Sequence, residues 1–292
     1  MFQRCLICTD FSDGLERLVS FVPQLASSGL QQIVFLHSVP LWEQGSIPRV
    51  DEDKVAAAKE HLSQALNKVP EGVDVRIEVP SGKPTDHILR TLKEYQSEVV
   101  LLGTPVRSSL QEKFVGSTSM GLAKQTPTPL MIFRPQLITT YTQEELALRC
   151  QHLWRYLLIP FNDSKTAQYL IERIKDYTQN CPSSTLEKCM LIWVIEDGPR
   201  QEVIRESRRE EAQKKLAAVK AELEELGLQV NTAVREGNGL QEILQAALTF
   251  DISAIAIATD YRSNPLEWTV SSFANEVLHK SWFPLLFFSP KK

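Results

Sequence analysis

Short apolar runs alternate with longer amphipathic stretches along the chain. In the first half, the apolar runs are residues 5–9, 33–39, 73–79, 98–102 and 131–133. The stretches between them, such as residues 50–69 and 85–95, place apolar side chains at helical spacing. Strands that alternate with helices predict a parallel sheet with right-handed crossovers. Because the runs are apolar throughout, we expect helices on both faces of that sheet.

The same order of runs returns in the second half of the chain. TPLMIFRP at residues 128–135 resembles FPLLFFSP at 283–290, and CLICTDFSD resembles LLIPFNDSK, with Asp10 opposite Asn162. Repetition on this scale indicates duplication of a whole domain rather than a short solenoid repeat. The sequence therefore predicts two tandem α/β domains, each an open, doubly wound parallel sheet. The predicted boundaries are 1–137, a connecting segment with one amphipathic helix at 138–153, and 154–292.

Composition narrows the class of protein. The chain has 292 residues, of which 43% are hydrophobic and 23% charged, as in an ordinary globular protein. Its net charge of -4 argues against a dedicated nucleic-acid binder. No apolar run approaches the ~18 residues of a membrane span, so no membrane insertion is expected. The five cysteines are an odd number in a long chain, which disfavours a disulfide framework and favours the cytoplasm.

Two short motifs lie in and after the first apolar run. Cys5 and Cys8 form a CxxC, but no second pair stands at zinc spacing, and we interpret both as small core residues. Asp13 and Glu16 have the spacing of a helix N-cap and its partner in the first turn.

The stretch GTPVRSSLQEKFVGSTS, residues 103–119, has features of a loop that holds phosphate. Gly103 ends an apolar run, and Gly116 precedes the hydroxyl residues Ser117 and Thr118. In parallel α/β folds, ligands bind beyond the carboxyl ends of the strands, where helix N-termini favour anions. Neither of the two common nucleotide fingerprints is present. The alternative is a plain connecting loop whose hydroxyls cap the next helix.

Two residues in this stretch oppose a phosphate site. Pro105 lacks an N–H donor, and the β carbon of Val106 disfavours a positive φ and takes space that glycine would leave open. Arg107 offers compensation, because a guanidinium forms charge-assisted hydrogen bonds to phosphate.

With these residues in view, the whole chain resembles two universal stress protein domains in tandem. The matching pieces are CLICTDFSD, SGKPTDHILRTLKEYQSEVVLLGT, VGSTSMGLAKQTPTPLMIFRP and their counterparts in the second half. The resemblance implies five-stranded parallel domains of the adenine nucleotide alpha hydrolase-like type, and many members of the family bind ATP. The family signature is G-x2-G-x9-G-[ST], together with an aspartate at the end of the first strand that contacts the adenine side.

Carried over to this sequence, the signature is nearly complete in the first half. The resemblance implies a site for ATP or another adenine nucleotide, with the participation of Mg²⁺ left open. The chain departs from the signature at Val106, which replaces the second glycine. The implied binding residues are Asp10 at the adenosine end and, around the phosphates, Gly103, Arg107, Gly116, Ser117 and Thr118.

The second half departs further from the signature. Asp10 corresponds to Asn162, and Gly103 corresponds to Ala258. Tyr261 and Ser271 stand at the second and third glycine positions of the signature. Arg262 and Ser272 match Arg107 and Ser117 of the first half. We therefore expect no nucleotide there and an architectural role instead. Family domains often dimerise through the last strand, and pairing of residues 131–133 with 286–288 would cover two apolar edges and make a pseudo-dimer. Further dimerisation stays open.

Three functional hypotheses follow. The first is a stress-associated regulatory protein with an adenine-nucleotide site in the first domain only, which signals to an unknown protein partner. The second is a non-enzymatic interaction module with no nucleotide in either domain. The third is a different small ligand, with fewer phosphates, in the first-half cleft. No residue stands out as a general base, so we expect at most slow ATP hydrolysis.

Overall fold

A computed structural model describes residues 1–42, 48–104, 117–181, 184–196, 205–258 and 272–290. The chain folds as two compact units, Phe2–Gln151 and His152–Lys292, the second of which also includes Met1. Each described unit contains a parallel sheet with helices, so the predicted α/β class is confirmed.

The first unit is built on five parallel strands in the order β3-β2-β1-β4-β5. They are β1 (Arg4–Cys8), β2 (Gln32–Leu36), β3 (Asp74–Glu78), β4 (Val99–Gly103) and β5 (Leu130–Phe133). Strand β1 lies at the centre, where Cys5 is opposite Ile33 on one side and Val99 on the other. The strand order reverses beside β1, and open parallel sheets bind ligands at such a point.

Helices of the first unit follow the predicted amphipathic stretches. They are a 3-10 helix at Leu15–Phe21, α1 (Val22–Ser27), α2 (Glu52–Ser63), a 3-10 turn at Gln64–Leu66, α3 (Pro84–Glu94) and α4 (Ser117–Gln125). Helix α2 begins where the Asp51 side chain accepts a hydrogen bond from the Lys54 N–H. Helix α3 begins with Pro84, whose missing N–H costs nothing at that position, and it buries Ile88 and Leu92, four residues apart.

The connecting segment packs on the first unit. Helix α5 (Pro135–Ile138) leads into this segment, which contains α6 (Gln143–Gln151) where one helix was predicted. Leu146 and Cys150, one turn apart, are buried, and α6 contacts α1 and the 3-10 helix before it. The Arg17 guanidinium donates to the carbonyls of Ile138 and Tyr141 and so fixes the path between α5 and α6.

The second unit repeats the same topology, with strand order β8-β7-β6-β9-β10. Its strands are β6 (Tyr156–Pro160), β7 (Lys188–Ile195), β8 (Gln229–Glu236), β9 (Ala254–Ala258) and β10 (Leu285–Phe288). Its helices are α7 (Lys165–Gln179), α8 (Arg205–Glu224), α9 (Gly239–Thr249) and α10 (Ser272–Lys280). The central strands are buried on both faces, as their unbroken apolar runs predict.

Candidate functional site

The carboxyl ends of β1 and β4 bring two of the predicted binding residues to one edge of the first sheet. Asp10 follows β1 by two positions, Gly103 is the last residue of β4, and these strands are neighbours. Ser117 and Thr118 begin α4, but their side chains are outside the described part of the structure. Arg107 and Gly116, with Pro105 and Val106, also lie outside the described residues.

Asp10 closes a tight turn after β1. Its Oδ1 accepts hydrogen bonds from the Ser12 N–H at 2.8 Å and from the Ser12 hydroxyl at 2.7 Å. Between them, Phe11 adopts a left-handed backbone with φ of 62°. The Asp10 side chain is exposed. The turn alone explains an acidic or amide residue at this position.

Asp13 is the residue that sequence reasoning missed at this edge. Its side chain is only 5% exposed, and Oδ1 accepts from the Thr9 hydroxyl at 2.8 Å and from the Leu15 N–H at 3.0 Å. The predicted N-cap role with Glu16 is wrong, because the helix begins at Leu15 after Gly14. Asp13 lies one position before the N-cap residue Gly14, and its side chain accepts a hydrogen bond from the N–H of Leu15, the first residue of the helix. No pattern in the sequence distinguishes this buried carboxyl from a surface cap.

Gly103 packs directly against the Asp13 side chain. A β carbon built at Gly103 would overlap Asp13 Cβ, its nearest neighbour, and would lie 2.7 Å from Asp13 Cγ and 2.8 Å from its Oδ2, far inside van der Waals contact. Glycine is therefore required at the end of β4 for packing, independently of any ligand. The same contact places a carboxyl group where a phosphate-binding loop would begin.

The environment of Asp13 raises its pKa to about 6. Burial is the main cause, because the carboxylate loses hydration, and the nearby charges of Asp10 and Glu16 add to it. Hydrogen bonds from Leu15 and Thr9 act in the opposite direction. Asp13 is thus mainly ionised at neutral pH and gains its proton under mildly acidic conditions.

A cluster of aromatic rings lies beside the Asp10 turn. Phe11 stacks on His37, with ring centroids 4.1 Å apart and an interplanar angle of 19°. The His61 ring is tilted relative to the Phe11 ring, and the centroids of these two rings are 5.0 Å apart. His37 Nδ1 donates to the Thr9 carbonyl at 2.9 Å, which holds the imidazole ring in place. Planar rings at this edge offer a surface on which a heterocyclic base can stack. The sequence did not indicate this cluster, because its members come from three separate elements.

The second unit repeats the turn but not the buried carboxyl. Asn162 Oδ1 accepts from the Ser164 N–H at 3.2 Å, and Asp163 has a φ of 58°, as Phe11 has in the first unit. The position that corresponds to Asp13 is Lys165, which is exposed, and the position of Gly103 is taken by Ala258. Tyr261, Arg262 and Ser271 lie outside the described residues, as does the side chain of Ser272.

A cavity of about 340 Å³ opens at this edge of the second unit. Asn162 and Ala258 both line it, together with side chains from β7, α7, α9 and α10. The unit with the poorer signature therefore has room for a ligand at its carboxyl edge.

The CxxC motif lies in the buried core of the first unit. Cys5 and Cys8 are both buried in β1, and residues three apart in a strand point to opposite faces of the sheet. Burial raises the pKa of both thiols, and the charge of Asp13 raises that of Cys8 further. Among the described residues, no group of three His, Cys, Asp or Glu side chains is placed to hold a metal ion. Within the same residues, no helix is both long and apolar enough to cross a membrane.

Comparisons with known proteins agree with the duplicated architecture. The family model of the universal stress protein family matches residues 1–134 and 154–289. The chain therefore belongs to the universal stress protein family, as the sequence motifs predicted, and its two matched segments make it a tandem two-domain member. None of the curated proteins compared with the chain matches it.

Solved structures show the same fold over nearly the whole chain. A universal stress protein from Archaeoglobus fulgidus is 18% identical, with a TM-score of 0.63 and coverage of 98% of each chain. A putative universal stress protein from Pseudomonas aeruginosa is 17% identical, with a TM-score of 0.62, and the match covers 99% of this chain and 94% of that one. A universal stress protein in complex with cAMP is 19% identical, with a TM-score of 0.34, and the match covers 46% of this chain and 98% of that one.

Proposed function

We propose that the protein is a stress-associated regulator that binds an adenine nucleotide, ATP above all, at the carboxyl edge of its first unit. Family membership supports the stress-associated role. The observation that supports the site is that Asp10 and Gly103, two residues of the family signature, end neighbouring strands at one edge. In this proposal Asp10 contacts the adenosine end, and the phosphates lie among Gly103, Arg107, Gly116, Ser117 and Thr118.

The aromatic cluster supports the placement of the base. Phe11 and His37 lie next to the Asp10 turn, so an adenine held by Asp10 would lie near their rings. Stacking on such a surface contributes roughly 1 kcal/mol beyond the buried area.

The negative charge of Asp13 opposes the approach of a phosphate group to Gly103. An ionised carboxylate beside the glycine repels a phosphate group, and in a partly buried place this repulsion is weakly screened. If Mg²⁺ is bound with the nucleotide, Asp13 would be a carboxylate available to hold it, and the positive charge of the ion would lessen this repulsion, because Mg²⁺ prefers carboxylate and phosphate oxygens. We therefore expect ATP to bind more tightly with Mg²⁺ than without it.

The proposed role is regulatory rather than catalytic. No described side chain at this edge is placed as a general base for water, so hydrolysis would be slow at most. The nucleotide would change a surface that a protein partner reads in the cytoplasm. Pairing through the last strands, β5 and β10, stays part of the proposal, as do the domain boundaries.

A second candidate function is a protein-interaction module without nucleotide. The Asp13 carboxyl against Gly103 favours it, because this side chain takes space and adds charge at the start of the phosphate path. The two candidates differ in one measurable property, which is whether the first unit binds a nucleotide.

Calorimetric titration with ATP, ADP and AMP, each with and without Mg²⁺, tests the proposal. We expect about one site per chain, lost in Asp10→Ala and retained in Asn162→Ala, its matched control in the second unit. Asp10→Asn separates recognition from folding, because Asn162 shows that an amide also closes this turn. If the carboxylate recognises adenosine, Asp10→Asn weakens binding roughly tenfold or more. Absence of binding with all three nucleotides would refute the nucleotide site and favour the interaction module.

A further inference from the structure

The cavity of the second unit has a different chemistry from a phosphate site. Its described lining consists mainly of apolar side chains of strands and helices, and Glu196 is the acidic residue among the described lining residues. We propose that this cavity binds a small aromatic ligand without phosphate, whose cationic or hydrogen-bond-donating end lies toward Glu196. The proposal does not depend on a nucleotide in the first unit.

The walls suit an apolar ring. Leu170 of α7, Ile192 of β7 and Ile257 of β9 line the cavity, and each is at most 3% exposed. Phe273 of α10 adds an aromatic side chain. A volume of about 340 Å³ lies within the range of small-molecule pockets, near its lower end. A bicyclic ring or a nucleoside fits this space, and its burial displaces water from apolar surface.

The charge of Glu196 disfavours an anion beside it. Glu196 follows β7 and is exposed, and its Oε1 lies 3.6 Å from a β carbon built at Gly239, the first residue of α9. None of the described lining residues is a lysine or arginine. A phosphate next to the Glu196 carboxylate would be repelled, whereas an ammonium or an N–H donor would gain a partner.

The polar groups at the mouth are already engaged within the protein. Asn162 Oδ1 accepts from the Ser164 N–H, and the Ser164 hydroxyl accepts from the Ala167 N–H at 3.2 Å, which caps α7. These two oxygens stabilise the turn and the helix start. Among the described lining residues, Glu196 is the charged group that can orient a ligand.

The two units differ at the carboxyl edge where the second unit has its cavity. In the first unit, the Asp13 side chain lies on Gly103 at the end of β4. In the second unit, the corresponding residue Lys165 is exposed, and Ala258 at the end of β9 lines the cavity. Among the described residues, this edge thus holds a buried acid in one unit and an apolar cavity lining in the other.

Two probes of equal ring size and opposite charge test this proposal. Tryptamine carries an indole and an ammonium, and indole-3-acetate carries the same indole and a carboxylate. By calorimetry or ligand-observed NMR on the full chain, we expect tryptamine to bind roughly tenfold more tightly, as one charge interaction at a partly solvated rim implies. AMP should not compete with tryptamine.

Variants separate the charge from the cavity. Glu196→Gln should remove the preference for tryptamine, whereas Glu225→Gln, an exposed acid outside the lining, should leave it unchanged. Ala167→Phe should fill the cavity and abolish binding of both probes. If that variant fails to fold, Ile243→Trp fills the same space from α9.

Three results would overturn the proposal. They are no tryptamine binding at millimolar concentration, equal affinity for the two indoles, and unchanged binding in a folded cavity-filling variant. Asp10→Ala should leave tryptamine binding intact, so a failed nucleotide site and a failed second-unit site give different results.

Discussion

At the residue scale, one buried carboxyl connects stability, charge and ligand access in the first unit. Asp13 is held by Thr9 and Leu15 and lies against Gly103. Burial of an acid is tolerated here because two donors satisfy one of its oxygens. Its raised pKa shows that the donors offset only part of the lost hydration.

Replacement of Asp13 by asparagine should stabilise the protein in a pH-dependent way. The pKa is raised from 3.8 to about 6 on folding, so the folded state favours the protonated acid. The free energy of unfolding of wild type therefore decreases as pH rises from about 4 through about 6, by up to about 3 kcal/mol. Asp13→Asn has no such loss, and the amide retains the accepting oxygen.

Urea unfolding of wild type and Asp13→Asn between about pH 4 and pH 7.5 measures this difference. We expect the stability of the variant relative to wild type to increase across the interval and then to level off. A constant difference would show that Asp13 does not titrate as its burial requires.

Substitution of Gly103 by alanine should be costly because of one neighbour. The new β carbon would overlap the Asp13 side chain, and overpacking of this kind costs roughly 1–3 kcal/mol. Asp13→Gly in the same chain removes the whole side chain, including the Cβ that lies nearest to the new β carbon, so the double variant should recover most of the loss. A double-mutant cycle measures this coupling, and additive effects would refute the contact.

At the element scale, α6 behaves as part of the first unit. Leu146 is 3% exposed and Leu148 is 56% exposed, although they lie two residues apart on the same helix. Leu146→Ala should destabilise the protein by roughly 2–5 kcal/mol, whereas Leu148→Ala should change stability by about 0.5 kcal/mol or less. Chemical denaturation tests both, and equal effects would mean that α6 does not pack through this face.

The elements themselves were the most predictable part of the fold. Strands β1, β4, β6 and β9 are unbroken apolar runs, and their burial on both faces dictates a parallel sheet. The start at Leu15 was not predictable, because Gly14 with φ of 77° and the Asp13 carboxyl share the capping role. Tertiary contacts decided the helix boundary there, not local propensity.

At the scale of the whole molecule, net charge constrains the partners. A chain with a net charge of -4 lacks the excess of cations that releases counterions from nucleic acid. We therefore expect no duplex DNA binding at about 0.1 M salt in a fluorescence anisotropy titration. Binding that weakens steeply with salt would contradict this expectation and would indicate a concentrated basic surface.

The duplication was visible in the sequence, but the difference between the two carboxyl edges was not. The family signature consists of glycines and a hydroxyl at fixed spacing, and the second unit matches fewer of these positions than the first. The structure adds what spacing cannot give, namely that Asp13 is buried on Gly103 whereas Ala258 lines a cavity. Both facts depend on which side chains meet across neighbouring elements, and these contacts are set only when the sheet is assembled.

The contact between Asp13 and Gly103 also constrains which pairs of residues this edge can hold. A side chain at Gly103 produces an overlap that the folded state must relieve, and the atom nearest to the new β carbon is Asp13 Cβ. A smaller residue at position 13 that keeps its β carbon therefore leaves the closest overlap in place. The second unit has a β carbon at both corresponding positions, Lys165 and Ala258, so an edge of its kind needs a different path of the turn as well as different side chains. In a library that randomises both positions, a side chain at 103 should be recovered mainly together with glycine at 13.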